Sequence, residues 1–334
     1  NKNISPTSSK EIFVSLNELY FFIKLVNIAS GVQEVVISFL IPLLPFSVII
    51  IGVKLIKLSI FDIKRGFREE RGKYLFTIFV CVAMCFLMHF QLYNYLSSKN
   101  ISDNVSISWF DYLFYNLRGD RVYVPDDGER FIMPAIWICY QVLVALIVGY
   151  YPIRDLSGYG KNTLVRSQSR VLWFSAKIIW TVIAVVLFYL TMYATTFLFS
   201  LFESGNISMT PNIDIIKIFY QVDVSNVYVP NLILYLLVIP MLTSITMSIV
   251  QVVLSFVINP FLSFVLVIGY FTIGTYYDAP YLIGNFSQIL RSKFFNMATG
   301  HTIEQAFLCL GIIIVVFIVF GYIYFSKKDI LNKN

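Results

Sequence analysis

Seven stretches of the chain are apolar for about 20 residues, the length at which a helix crosses a hydrocarbon core about 30 Å thick with its backbone polar groups satisfied internally. They cover roughly residues 35–58, 74–96, 131–151, 178–202, 230–256, 258–276 and 305–325. This pattern predicts an all-α polytopic membrane protein. Glu11 to Ser30 is also apolar, but Asn17, Glu18 and Lys24 interrupt it, which suits a helix lying in the interface. Pro42 and Pro45 disturb the first run. The expected organisation is an N-terminal extension, residues 1–52, holding the interfacial helix and an extra transmembrane segment, followed by a six-span unit, residues 53–334.

Composition agrees with the pattern. The chain is 58% hydrophobic and 13% charged, where a soluble domain carries about 25% charged residues, so the lipid bilayer is its expected solvent. The formal charge of +6 is first a topology signal, because short loops rich in Lys and Arg stay on the cytoplasmic side. Lys64, Arg65, Arg68, Arg71 and Lys73 form one such cluster. Arg154, Lys161, Arg166, Arg170 and Lys177, against the single acid Asp155, form a second, and Lys327, Lys328 and Lys333 a third. The intervening loops, 97–130 and 203–229, hold more acids than bases. Residues 61–73, 154–177 and 326–334 are therefore expected on one side and the acidic loops on the other. Nothing in this balance points to nucleic acid. Cys81, Cys85, Cys139 and Cys309 all sit within apolar runs, so no disulfide framework is implied.

Three segments carry a resemblance. KLIKLSIFDIKRGF at Lys54 to Phe67, YGKNTLVRSQSRVLWFSAK at Tyr159 to Lys177 and FSKKDIL at Phe325 to Leu331 resemble the permease subunits of bacterial ABC-2 type exporters. The asparagine-proline turn at Asn259 and Pro260, and YYDAPYLIGNF at Tyr276 to Phe286, are similar to one subgroup of them. The resemblance implies an amphipathic elbow before the first of six spans and a coupling helix between the second and third. It implies a multi-pass protein of the cytoplasmic membrane that partners an ABC ATPase and a second permease copy or paralogue. ATP and magnesium are then expected on the ATPase, with no cofactor in this chain.

Individual motifs refine that expectation. Gly160-Lys161 is the nearest approach to a phosphate loop, but Asn162 stands where Ser or Thr would coordinate magnesium. The chain is expected to be a transport subunit and not an enzyme. Leu164, Val165 and Val171 with the neighbouring basic residues suggest a short helix apolar on one face and cationic on the other. Leu164, Val165, Arg166 and Arg170 are the candidate contacts to the ATPase. Thr243, Ser244, Thr246, Ser248 and Gln251, with Pro240 supplying a bend, are either interhelical hydrogen-bond partners or the lining of a path for a hydrophobic or amphipathic cargo such as a peptide, drug or lipid. Cys81, Met84, Cys85, Met88 and His89 share one helical stripe. Soft ligands of this kind suit Cu(I), although Cys and Met are ordinary packing residues and one straight helix cannot wrap an ion. His301 is expected to be solvated or capping. Ionisable groups well inside the spans are almost absent. The alternative function class is a non-transporting membrane anchor or peptide-immunity protein, with a copper-related membrane protein behind it.

Overall fold

A computed structural model describes residues 46–98, 107–125, 130–158, 160, 164, 169–204, 212, 215–217, 229–296 and 299–327. The interfacial helix expected within residues 11–30, and the part of the first run before residue 46, lie outside the described residues. The described chain is almost wholly helical, with no strand among the described residues. It has five helical segments long and apolar enough to cross a membrane, Ala135–Ser157 counted as one.

The first, α1, runs from Phe46 to Ser98, 53 residues without a break. The expected spans 35–58 and 74–96 are therefore joined, in their described part, through the basic stretch where the resemblance implies a separate amphipathic elbow. At 1.5 Å per residue α1 is about 80 Å long, more than twice the hydrocarbon thickness. Its continuity has a local cause. No proline occurs between Pro45 and Pro125, and residues 64–73 are mostly Lys, Arg and Glu, which are good helix formers. An i,i+4 pair, Arg65 Nε to Glu69 at 2.7 Å, supports the turn. Tertiary packing supplies the rest. One buried stripe passes through Ser59, Asp62, Gly66, Glu70, Tyr74 and Thr77, then continues through Cys81, Cys85, Met88, Leu92 and Leu96. These spacings of three and four keep one face turned to the bundle, and most of its contacts fall on one neighbour.

That neighbour is α5, Arg170–Ser204, which lies parallel to α1. Gly66 meets Trp180, the Tyr74 hydroxyl donates to the Ala184 carbonyl at 3.0 Å, and Phe86 meets Phe199 with ring centroids 4.9 Å apart. Before α5 come α2 (Trp109–Leu117), α3 (Ala135–Val148) and α4 (Tyr151–Ser157). The expected span 131–151 is thus split, because Pro152 lacks the N–H that would continue the ladder and its ring opposes the carbonyl four residues back. α6 (Val229–Val257), α7 (Pro260–Tyr276) and α8 (Ile303–Lys327) complete the order. α7, capped by the Asn259 side chain accepting from the Leu262 N–H at 2.7 Å, has 17 residues and is the short member.

Layering follows burial. The most apolar stretches of α5 and α6 are 61% buried and that of α3–α4 67%, against 33% for α1 and 17% for α8. α3, α5 and α6 make the centre; α1 and α8 flank it with broad apolar outer faces that suit lipid contact. Aromatic rings close the packing at one end, where Trp173, Phe174, Phe256 and Phe325 stack together and Gly321 lets Phe174 approach α8.

Candidate functional site

Where α1, α4 and α5 meet, charges are buried that the sequence reading placed in a solvated loop. Lys177 is 0% exposed, and its ammonium donates to Asp62 Oδ1 at 2.7 Å and Asp155 Oδ2 at 2.6 Å. The Tyr151 hydroxyl donates to Asp62 Oδ1 at 3.2 Å, and the rings of Tyr151 and Trp173 flank the ammonium at 4.9 and 4.8 Å. Arg65 Nη1 lies 3.2 Å from Asp155 Oδ1. A second tier follows one turn along: Arg154 Nη2 donates to Glu69 and Glu70, each at 2.7 Å, and Lys73 pairs with Glu70 at 2.6 Å. Lys73 also donates to the Leu146 carbonyl at 2.5 Å, near the end of α3. Four cations therefore meet four carboxylates. A buried charge is tolerated only when paired and hydrogen-bonded, and each member here meets an opposite charge on another helix or one turn away.

This knot fixes both roots of the connection between α4 and α5. Arg154 and Asp155 hold the end of α4 to α1, and Lys177 holds the first turns of α5 to the same place. Between them, Leu164 is half-buried against the core, while Val165 and Arg166 lie outside the described residues. Arg170 opens α5, with Ser169 Oγ accepting from the Leu172 N–H at 3.3 Å, and its guanidinium donates to the Ser326 carbonyl at 2.9 Å. A cation placed there satisfies one of the last carbonyls of α8.

The other end of the molecule is a compact assembly of loops and short helices. α2 is buried along nearly its whole length and opens with a capping box: Ser108 N–H and Oγ donate to Asp111 Oδ2 at 2.9 and 2.8 Å. Burial pushes the Asp111 carboxyl up to about 6, against hydrogen bonds from Ser108 and from the Asn212 N–H that hold it down. Two 3₁₀ turns, Ile283–Ser287 and Ile289–Arg291, are buried beside it. Arg291 is 0% exposed and donates to the carbonyls of Gly274 at 2.6 Å, Thr275 at 2.5 Å and Tyr277 at 3.2 Å. Those are the carbonyls that the end of α7 leaves without helical partners. Burial lowers the guanidinium from its ordinary value, opposed by the charges of Asp278 and Asp120. His301 is not solvated: it is 6% exposed and its Nε2 lies 2.8 Å from Asp278 Oδ1.

The two remaining sequence candidates separate. Thr243, Ser244, Thr246, Ser248 and Gln251 are all buried in α6. Ser244 donates to Gln141 at 3.0 Å and shares a hydrogen bond with Tyr189 at 2.8 Å; Gln251 Nε2 donates to the Ala145 carbonyl at 3.0 Å, and Thr243 and Thr246 bond back to their own helix. Ser244 and Gln251 thus join α6 to α3 and α5. Of the sulfur stripe, Cys81, Cys85 and Met88 lie on the buried face of α1, whereas His89 is exposed and pairs with Glu203 at 2.6 Å, with Tyr112 on the same carboxylate. Among the described residues no group of three or more His, Cys, Asp or Glu side chains is arranged to hold a metal ion.

No curated protein and no solved structure matches the chain. Residues 127–331 match the sequence profile of DUF2705, described as a protein of unknown function. That match takes in α3 to α8, more than half of the chain, and the chain belongs to this family.

Proposed function

We propose that the chain is the membrane-spanning permease subunit of an ATP-driven exporter of the ABC-2 type, powered by a separate ABC ATPase and working with a second permease copy or paralogue. The observation that carries this reading is the ion-pair knot at the roots of the α4–α5 connection. A soluble motor can move transmembrane helices only through a rigid contact, and this connection is anchored at both ends to α1 and, through Arg170, to α8. A push on Leu164, Val165 or Arg166 would therefore reach four helices together. The sequence resemblance in the same connection supports the assignment. The neutral polar interior, where Gln141, Tyr189, Ser244 and Gln251 hydrogen-bond between helices, suits a hydrophobic or amphipathic cargo better than an inorganic ion.

The test is to purify the full chain from its own cells and ask whether an ABC ATPase accompanies it. ATP hydrolysis by that partner should depend on the chain and fall at least tenfold with Leu164→Glu combined with Arg166→Glu, while membrane insertion is retained. If no ATPase accompanies the chain, the membrane-anchor or immunity reading replaces this one.

A further inference from the structure

The face of α1 turned away from α5 carries a second pattern, independent of the permease reading. Lys64, Arg68 and Arg71 stand three and four residues apart, and all three are exposed. The carboxylates between Lys54 and Leu75 are Asp62, Glu69 and Glu70, and all three are held in the knot on the other side of the helix. None of the three exposed cations is ion-paired to a described residue. Continuing along the same stripe, the charges stop and the face turns apolar, through Leu75 at 65% exposed, Phe79 at 69%, Phe86 at 61% and Phe90 at 63%.

This change on one face of one continuous helix marks where hydrocarbon gives way to headgroups. From Lys64 to Arg71 the helix rises about 10 Å. Each interfacial layer is roughly 5–8 Å deep, and long basic side chains can reach along the surface to adjust. We propose that Lys64, Arg68 and Arg71 form a collar that binds the headgroups of anionic phospholipids on the basic side of the membrane. A soluble partner is the poorer fit, because α4 lies on the knot side of α1, away from this stripe. The stripe is also continuous with lipid-facing side chains. Three uncompensated cations at the phosphate level gain from a negative lipid what they cannot gain from a zwitterionic one.

Native mass spectrometry of the detergent-solubilised full chain, offered equal amounts of phosphatidylglycerol and phosphatidylcholine, tests this. The wild type should retain phosphatidylglycerol at least tenfold over phosphatidylcholine. The K64Q/R68Q/R71Q variant should approach parity, since each cation near an anionic surface is worth on the order of fivefold. The charge-preserving K64R/R68K/R71K variant should keep the preference, which separates lost charge from damaged folding, and the single R68Q variant should lose part of it. No preference in the wild type, or an unchanged preference in the triple glutamine variant, overturns the proposal. Wild-type loss of preference together with capture of an acidic protein by the collar also overturns it.

Discussion

At the residue scale, Lys177 sets the terms. Its ammonium has no water to fall back on, and it is held by two carboxylates whose side chains are 1% and 2% exposed. Removing one partner of such an arrangement leaves uncompensated buried charge, which costs about 3–5 kcal/mol. Lys177→Met should therefore lower the unfolding temperature of the purified chain sharply. The triple change Lys177→Met, Asp62→Asn and Asp155→Asn should recover most of the loss, because neutral groups of similar shape carry no unpaired charge. Thermal unfolding in one detergent measures both. If the single and triple variants are equally unstable, packing around Tyr151 and Trp173 holds this junction and the charges do not. Sequence alone names this residue but does not reach its pairing. A lysine ahead of a span in a basic segment reads as a topology signal, and its partners are 115 and 22 positions away, so nothing local reveals the pairing. Arg291 escaped for the same reason: its partners are mainly backbone carbonyls, which have no residue type.

At the scale of elements, the five membrane-length helical segments were legible because each contains an apolar run long enough to stand alone in lipid. The continuity of α1 was not. Seven charged residues between 64 and 73 look like a break in the helix unless the partners that hold Arg65, Glu69, Glu70 and Lys73 are known. The close approach that allows this is at Gly66, where an added Cβ would lie 2.0 Å from Trp180 Nε1. Trp180 is itself pressed on Tyr151, with ring centroids 4.2 Å apart, and Tyr151 donates to Asp62. Gly66→Ala should consequently push α1 from α5, strain the knot and destabilise the chain by about 1–3 kcal/mol, as overpacking does. Combining it with Trp180→Phe, which removes the clashing atom, should restore part of the stability. Gly72, which has nothing within 4 Å of a built Cβ, is the control: Gly72→Ala should be neutral or slightly stabilising through helix propensity. An unfolding temperature for Gly66→Ala equal to that of Gly72→Ala would mean that the two helices do not pack this closely.

For the whole molecule, contacts between distant segments sort the chain into two ends. Arg65, Arg154 and Lys177 meet at one, and Arg170 joins the last turn of α8 to it. At the other, Asp111 receives the Asn212 N–H, the Arg118 carbonyl receives the Leu290 N–H, and Arg291 reaches the Asp120 carbonyl. These groupings are those expected from basic and acidic segments. They also decide the path of α7, whose 17 residues give about 26 Å of helix, marginally short of a full hydrocarbon core. α6 must bring the chain back to the basic end before α8 can return there from the loop at His301. α7 then carries the chain from Asn259 to the Arg291 end, where Arg291 meets its last carbonyls, so it runs between the two ends despite its length. By the excess of Lys and Arg, the basic end is expected to face the cytoplasm. Single cysteines placed on a cysteine-free background and treated with an impermeant maleimide in intact cells report this directly. Arg130→Cys and Tyr281→Cys, both at exposed positions, should label from outside, whereas Ser157→Cys should label only after permeabilisation. Labelling of Arg130→Cys without Tyr281→Cys would show that α7 dips and returns instead of crossing, and labelling of Ser157→Cys alone would reverse the molecule in the membrane.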